Sequence, residues 1–345
     1  MQTYPTQYAI RRLIADQYRD GVSGTTTSGT DATSLLDTSR VEVADLWNGS
    51  EATIGNVATT NAWVSRLITD GIVGDLTTAA FPGTIANASP YEILQRFRKI
   101  QYDNAIKAAV DFCKEAHWIE WVWEGLTPVA STYDYQIPSE HEVTTVTADA
   151  GSSTTALVDA GTTQANDYWN FARMVGLSGA NAGKTNFPTD WTLATNTFAF
   201  ANAWPSTIGT GDTFHLMRFL PNYIYLVEYI PSGGTYPVPM DHRDWDIVWR
   251  GAPYLRFYRV PPISATVRVY GVREPLLPSH DMHPVEIPQD VAVNYARYKL
   301  QLSMPRRVDL KMDDDVTGRP ELFRAAQLAL SRHRYQRPMF AKRVH

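Results

Sequence analysis

The spacing of apolar residues along the chain predicts four helices separated by β-rich segments. The longest runs from Ser89 to His117, where apolar side chains recur every three or four residues between charged ones. Ser89 can cap this helix, Pro90 suits its first position, and Glu92 completes a capping box three residues after the serine. A lone helix is only marginally stable, so we expect other helices to cover its apolar face.

Three shorter helices complete the set. The first covers residues 7–20, and Gly21 follows it as a stop signal. The second covers residues 288–304 and ends at Pro305, and the third covers residues 320–336. We predict that these helices pack with the long one as a bundle.

The segments between the helices have the alternation and the Pro/Gly punctuation of strands and turns. Residues 118–125 (WIEWVWEG) form either a strand or the last turn of the long helix. Residues 126–149 are expected to be strands, and residues 218–285 to be hairpin strands and loops. Residues 25–88 and 150–217 are rich in small polar and β-branched residues, and each interrupts the helical scaffold.

An internal repeat relates the two interrupting segments. Three pairs of segments share residues in the same order at offsets of 122, 122 and 123: SLLD (34–37) with ALVD (156–159), DLWN (45–48) with DYWN (167–170), and FPGTI (81–85) with WPSTI (204–208). The first copy has ATTNAWVSRLITD where the second has SGANAGKTNFPTDW. The repeat predicts two copies of one small β module, which serve as two docking surfaces or as one functional and one space-filling copy.

The predicted fold class is therefore α+β. A discontinuous helical-bundle core of about four helices, with a β-hairpin region, comprises residues 1–24, 89–149 and 218–345. Two inserted modules of a small barrel-like or sandwich-like type are residues 25–88 and 150–217.

Composition limits the classes of function. The 345 residues carry a formal net charge of −5, so no global basic field attracts nucleic acid. Cys113 is the one cysteine, which rules out a disulfide framework, and its place on an apolar helix face predicts a buried thiol. No run of about 18 apolar residues predicts a membrane span, so we expect no membrane partner.

The segment Gly179–Thr185 (GANAGKT) looks like a phosphate-binding loop, but its spacing is one residue short of that pattern. A phosphate loop also needs a helix directly after its Lys-Thr pair. Pro188 and strand-like flanks oppose such a helix, so we interpret the segment as a glycine-rich turn.

Other polar clusters lack the full chemistry of a site. His280 and His283 could be two metal ligands, but no third ligand accompanies them. The acidic run 313–315 lacks the alternating ligands and the glycine of a calcium loop. We interpret both, and the segment 241–244, as solvated turns or loops. The sequence therefore predicts no catalytic residue, no cofactor and no metal.

The second module resembles a β module of tailed-phage virion proteins. The matching residues are Leu157-Val158-Asp159, Asp167-Tyr168-Trp169, Ser178-Gly179-Ala180-Asn181-Ala182-Gly183 with Thr189-Asp190, and Gly211-Asp212 with Leu216. The helical remainder is similar in layout, though not in motif, to the head–tail connector (adaptor) proteins of such phages. Those proteins form a ring beneath the portal, and the resemblance implies neither catalysis nor a cofactor.

The resemblance implies a structural virion protein. Copies of the chain would form a ring, of twelve subunits by that resemblance, between the portal protein and the tail or neck proteins at the head–tail interface. DNA would pass through the channel without sequence-specific binding, which a net negative chain favours because fixed positive charge would hold phosphates. Assembly would take place in the host cytoplasm.

Nine residues are the candidates for these contacts. The basic end of the chain, which alternatively complements the dipole of its own helix, is predicted to dock on the portal through Arg332, Arg334, Arg337, Phe340, Lys342 and Arg343. The subunit interface is predicted to include Trp118, Trp121 and Trp123, since packing and interfaces are commoner uses of tryptophan than sugar stacking.

Two other functions remain open at this point. The chain could be a tail-tube or fibre-attachment protein that uses its β modules to bind partners or glycans. It could also be a hydrolase carried on the virion, which the sequence supports poorly because no nucleophile motif is present.

Overall fold

The computed structural model describes residues 4–27, 31–55, 61–114, 116–126, 128–137, 142–166, 168–234, 236–263, 265–304, 313–333 and 341–344, with backbone only at 124, 125 and 313–320. The chain divides into two compact units. Unit 1 comprises Met1–Cys113, Leu177–Gly183 and Leu276–His333. Unit 2 comprises Lys114–Gly176, Lys184–Pro275 and Arg334–His345.

Unit 1 combines a helical cluster with one antiparallel sheet. The helices are α1 (Gln7–Tyr18), α2 (Lys99–Cys113), α3 (Gln289–Ser303) and α4 (Asp313–Arg332). The strands are β1 (Val22–Thr25), β2 (Ser34–Leu36), β3 (Glu51–Ile54), β4 (Ser65–Ile72), β5 (Asp75–Thr78) and β6 (Pro90–Leu94). Their order in the sheet is β1-β6-β3-β4-β5-β2.

Unit 2 consists of antiparallel strands. They are β7 (Ile119–Leu126), β8 (Asp134–Gln136), β9 (Glu142–Thr147), β10 (Ala156–Val158), β11 (Arg173–Gly176), β12 (Thr185–Asn186), β13 (Asp190–Thr192), β14 (Thr197–Ala199), β15 (Thr213–Arg218), β16 (Tyr223–Ile230), β17 (Val238–Pro239), β18 (Trp245–Trp249), β19 (Pro253–Phe257), β20 (Thr266–Arg273) and β21 (Lys342–Arg343). The sheets have the orders β10-β14-β13, β12-β11-β15-β9, β17-β16-β20-β7 with β21 on β16, and β18-β19-β8.

The predicted fold class is wrong, because the protein is mostly β and only 20 % helical rather than a helical bundle with inserts. The four helices do share a core, which includes Ile10 of α1, Ile106 of α2, Val291 of α3 and Ala329 of α4. They account for a minor part of the chain, and the six-stranded sheet takes strands from both sides of the predicted insert 25–88. The predicted domain boundaries themselves stay a prediction.

The long helix predicted from Ser89 to His117 is the main source of this error. Its first part is strand β6, and helix α2 begins only at Lys99. Tyr91 and Ile93 are buried in the core of the first sheet, where β6 pairs with both β1 and β3. Pairing on both edges satisfies the hydrogen-bonding groups of the strand's backbone. The stabilisation from these contacts with distant segments outweighs the local signals for a helix.

A buried carboxylate fixes the turn between β6 and α2. Asp20 accepts hydrogen bonds from the backbone N–H groups of Gln95 and Phe97, both at 2.9 Å, and from that of Arg96. The hydroxyl of Tyr102 donates to the same carboxylate at 2.6 Å. Asp20 therefore satisfies the turn that ends the strand and orients the first part of the helix.

The remaining helix predictions have mixed outcomes. Helices α1 and α3 confirm the segments 7–20 and 288–304 within two residues. Helix α4 begins at Asp313, seven residues before its predicted start, so the solvated acidic loop at 313–315 is wrong. Acidic residues at a helix start are favoured by the helix dipole, which accounts for the extension.

The predicted β segments are confirmed where they can be compared. Residues 119–125 lie in strand β7, which Trp118 directly precedes, so the segment 118–125 is not a last helical turn. Strands β8 and β9 fall within 126–149, and β16 to β20 fall within 218–285.

The two sheets that contain the repeated segments have the same register. Val22 pairs with Ile93, and 122 and 123 residues further along Thr144 pairs with Leu216. The same relation holds for two further matches: Ala52–Ile93 corresponds to Met174–Leu216, and Leu35–Leu76 corresponds to Leu157–Phe198. Strand order agrees as well, since β9-β15-β11-β12 and β13-β14-β10 together repeat β1-β6-β3-β4-β5-β2.

The repeat extends to the side chains of the two cores. Equivalent buried positions carry Trp47 and Trp169, Phe81 and Trp204, Ile85 and Ile208, and Tyr91 and Phe214. The segments TTNAW and GANAG also correspond, at an offset of 120, and place buried Asn61 and Asn181 at the same position. One β module is therefore built twice, with the same strand order and with equivalent buried positions.

The copies differ at the middle of the module. Strand β4 is continuous in the first copy, whereas its counterpart is divided into β12 and β13 around Pro188. The hairpin that follows β4 has a two-residue turn, Val73-Gly74, and the corresponding turn of the second copy is two residues longer. The repeated frame thus tolerates different tips.

A buried ionic network joins four segments of unit 1. The fully buried guanidinium of Arg11 donates to Glu92 at 2.9 Å and to Asp103 at 2.7 Å, and it also pairs with Asp281. Lys99 contacts Asp103 at 2.7 Å and Asp281 at 2.9 Å. The network therefore links α1, β6, α2 and the loop before α3. The prediction of a solvated turn at His280–His283 is wrong, because Asp281 and His283 are buried.

The network shifts the pKa values of its acids in opposite directions. Burial raises the pKa of Glu92, although Arg11 opposes this shift. Burial alone would also raise the pKa of Asp103, but Arg11 and Lys99 hold it below its usual value. Asp103 is thus stabilised as a carboxylate by two cations, whereas Glu92 shares one.

Replacing Asp20 with asparagine should destabilise unit 1 by about 2–4 kcal/mol, because the amide leaves buried donors without an acceptor. Urea unfolding followed by circular dichroism would measure the loss. Asp16→Asn is the matched control, since Asp16 is exposed and its carboxylate pairs with Arg12 of the same helix at 3.2 Å. Equal losses in the two variants would contradict the capping role.

Replacing Asp103 with asparagine should cost about 3–5 kcal/mol at pH 7, because it breaks a buried ion pair. The folded-state pKa of Asp103 is lowered, so its stabilisation is complete above the unfolded pKa of about 3.9 and is lost as pH falls through the folded value. The difference in unfolding free energy between wild type and variant should therefore shrink as pH falls below about 4. A difference that stays constant with pH would show that Asp103 does not act as a charge.

Candidate assembly surfaces

The predicted portal-docking residues are distributed over both units. Arg332 is exposed in the last turn of α4 in unit 1. Arg334, Arg337 and Phe340 lie outside the described residues. The remaining two, Lys342 and Arg343, form strand β21 of unit 2, which pairs with β16. Their role in docking stays a prediction.

Lys342 is already engaged within its own chain. Its ammonium group donates to the carbonyl oxygen of His242 at 2.9 Å and to that of Trp245, pairs with Asp246 at 3.3 Å, and lies 4.3 Å from the Trp245 ring centroid. The following residue, Val344, is buried, and its N–H donates to Asn222 at 3.0 Å. The end of the described chain is therefore part of unit 2's fold, and Arg343 is its exposed basic side chain.

The three predicted interface tryptophans lie on or beside strand β7, at the edge of the five-stranded sheet. Trp121 is buried, and its indole N–H donates to the carbonyl of Phe219 at 3.1 Å. Trp118 packs edge-on against Tyr223 with ring centroids 5.4 Å apart. Trp123 is half-buried 6.4 Å from the Trp121 ring. Trp121 is thus a packing residue, whereas Trp118 and Trp123 are half-buried and keep part of their surface accessible.

The first β module carries an exposed apolar surface that is not among the residues predicted from the sequence. It is formed by the loop after β2 and by the turn between β4 and β5, and we call it the tip surface: Val41, Val43, Leu46, Ile72 and Val73. Val43 is 73 % exposed and Ile72 is 65 % exposed. An apolar group of this size on one small module is typical of a contact surface.

Beside the tip surface lies a small depression, open to solvent, that Val43, Leu46 and Ile72 help to line. Trp47 and Leu76 form part of its lining, and Arg40 lies 5.3 Å from the Trp47 ring. Arg40 pairs with Glu42 at 2.6 Å and donates to the hydroxyl of Tyr91 at 3.1 Å. These contacts fix the side chains of Arg40 and Trp47 that line the depression, so the depression is a preformed feature of the module.

The hydroxyl of Tyr91 connects Arg40 to a second carboxylate, that of Asp37. The hydroxyl donates to Asp37 at 2.6 Å. Burial opposes the charge on Asp37, but hydrogen bonds from Ser39 and Tyr91 keep its pKa below the usual value. Burial and the bond to Asp37 raise the pKa of Tyr91. At neutral pH Asp37 is therefore a carboxylate, and Tyr91 is a neutral phenol that links it to Arg40 by hydrogen bonds.

The second module keeps only part of this apolar character at the matching positions. It carries Thr163, Ala165 and Thr192 where the first module has Val41, Val43 and Ile72. At the positions of Leu46 and Val73 it carries Tyr168 and Leu193, which are less exposed, at 37 % and 40 %. A signal for the tip surface was present in the sequence, because Val73-Gly74 occupies a two-residue hairpin turn where polar residues such as Asn-Gly are preferred.

The structure also describes Cys113, the glycine-rich segment and the segment 241–244, about which the sequence makes predictions. Cys113 is buried as predicted, and burial with the nearby charge of Asp290 raises the pKa of its thiol to about 12. The segment Gly179–Asn181 is a short 3₁₀ turn followed by strand β12, which confirms the glycine-rich turn. The segment 241–244 is largely exposed, as predicted.

Within the described ranges, no group of three or more His, Cys, Asp or Glu side chains is arranged to hold a metal ion. In the same part of the chain, no helix has the length and apolar character needed to cross a membrane.

Comparison with known proteins adds no family. No protein-family model matches the chain, and a search of curated proteins finds no match. Any function must therefore be argued from the residues and the geometry.

Replacing Lys342 with methionine should weaken the pairing of β21 with β16 by about 1–2 kcal/mol, because charge-assisted hydrogen bonds and a cation–π contact are lost. Hydrogen exchange of the Val344 amide should become faster. Arg343→Met is the matched control, since that side chain is exposed and adjacent. Unchanged exchange in the Lys342 variant would show that the tail is held by backbone pairing alone.

Proposed function

We propose that the protein is a structural component of a tailed-phage virion. It would act as a head–tail adaptor that forms a ring between the portal and the tail and leaves a channel for the genome. The proposal combines the resemblance of the second module to phage virion modules with the surfaces described above. Its residence in the virion neck and its contacts with the portal and with tail or neck proteins belong to the same proposal.

The observation that most supports the proposal is the doubled β module. Both copies keep the same register and the same buried positions, yet their tips differ in length and polarity. Duplication of a core with divergence of its tips gives one chain two different binding surfaces on a common frame. A protein that joins two kinds of neighbour needs two such surfaces.

The charge of the chain is compatible with a channel through which DNA passes. With 31 basic and 36 acidic residues, the chain has a net charge of −5. A surface without a dominant positive field binds phosphates weakly and leaves few counterions to release. DNA could therefore move past the ring without being held by it.

We expect the purified chain to form closed oligomers, alone or on the portal of the same phage, and twelve copies are implied by the resemblance. Native mass spectrometry would count the copies, and electron microscopy of particles with a labelled chain would give its position. A label along fibres or the tail tube would favour the alternative. A chain that stays monomeric with the portal present, and that is missing from the neck of particles, would contradict the proposal.

A further inference from the structure

The tip surface carries unpaired negative charge beside its apolar side chains. Asp45 lines the depression, and Asp70 and Asp75 lie on the two strands that end at the tip. Within the described part of the chain, none of these three carboxylates forms an ion pair. The surface is therefore apolar at its centre and acidic at its rim, which predicts a partner with an apolar knob and positive flanks.

Such a partner is present on helix α4 of the same chain. Leu328 is 56 % exposed, and Arg324 and Arg332 lie four residues before and after it, so the three share one face of the helix. Neither arginine forms an ion pair with any residue that the structure describes. The two arginines are about 12 Å apart along the helix axis. We call these three residues the α4 stripe.

We propose that the tip surface of one copy binds the α4 stripe of a second copy of this chain. Leu328 would cover the depression beside Val43 and Ile72, and the arginines would face the acidic rim. The contact would remove exposed apolar side chains from water and give ion pairs to charges that form none within the described residues. This inference rests on the proposed ring, because it assigns the contact that builds it.

The two surfaces favour a head-to-tail contact over symmetric ones. Two tip surfaces facing each other would bring carboxylates together, and two α4 stripes would bring arginines together. Both surfaces are exposed in the monomer, so neither covers the other within one copy. A bound pair consequently leaves one tip surface and one α4 stripe free, so further copies can add, and the assembly closes into the proposed ring where the rotation between neighbours allows it.

The charges give the contact a dependence on salt. Raising the salt concentration from about 0.1 M to about 1 M shortens the screening length from about 10 Å to about 3 Å. Ring formation should weaken over this range if the arginines face the acidic rim. Asp45→Asn should weaken assembly and reduce its salt dependence, and asparagine suits the left-handed backbone of that residue (φ 65°).

Two single variants test the contact from each side. Ile72→Asp places a charge in the tip surface, and Leu328→Asp places one in the α4 stripe. Each should weaken self-association about a hundredfold or more and leave the chain monomeric in sedimentation velocity. Both side chains are exposed, so circular dichroism and thermal unfolding should match those of the wild type.

Mixing the two variants gives the decisive result. The Ile72→Asp chain keeps its α4 stripe, and the Leu328→Asp chain keeps its tip surface, so one intact contact can form between them. A one-to-one mixture should yield a heterodimer that grows no further, visible by native mass spectrometry. Ile263→Asp is the matched control, because Ile263 is equally exposed (63 %) but lies in unit 2, and that variant should assemble like the wild type.

Other outcomes would overturn the contact in distinguishable ways. Rings of normal size from both single variants would reject it and leave the proposed adaptor function intact. Monomeric variants that give no heterodimer when mixed would also reject it. A wild-type chain that is monomeric with and without portal would remove both this contact and the proposed ring.

Discussion

The ionic network around Arg11 is the constraint on which unit 1 depends. One fully buried guanidinium meets carboxylates from β6, α2 and the loop before α3, and Lys99 shares two of the three. Burying these charges costs free energy that only close pairing offsets, so any displacement of one segment leaves an uncompensated charge. Apolar packing of Ile106 against its neighbours is less directional and would tolerate a shift. The network therefore fixes which segments meet, and the first β module is attached to the helices at that point.

This network also explains where sequence reasoning failed. Ser89, Pro90 and Glu92 form a good local signal for a helix start, yet the carboxylate of Glu92 binds a residue 81 positions earlier in the chain. The same holds for Asp20, which fixes the β6–α2 turn from a distance of more than 70 residues. Periodicity reports which side chains need burial but not which partners they find. Helices α1 and α3 were predictable because their apolar stripes and end signals agree with their tertiary contacts.

The repeat shows the opposite case, in which sequence carried long-range information. An offset of 122 to 123 residues between matching segments is also the offset between matching strand pairs, such as Leu35 with Leu76 and Leu157 with Phe198. Because the two copies pair their strands in the same register, equivalent residues occupy equivalent positions. Aligning the chain with itself therefore identifies residues that match in three dimensions. The repeat gives no comparable information about the candidate contact residues. Lys342 is a candidate because of its charge, and no local pattern indicates that its ammonium group contacts Trp245.

Differences between the copies are more informative than their likeness. Shared positions such as Trp47 and Trp169 are buried and serve the frame, so their identity is explained by packing. Ile72 is exposed and contributes little to its own module, whose counterpart folds with Thr192 at that position. An exposed isoleucine beside exposed valines raises the risk of aggregation without a gain in stability. The exposed apolar surface would carry no such risk in an assembly that covers it. Its acidic rim restricts the partner to one that carries positive charge.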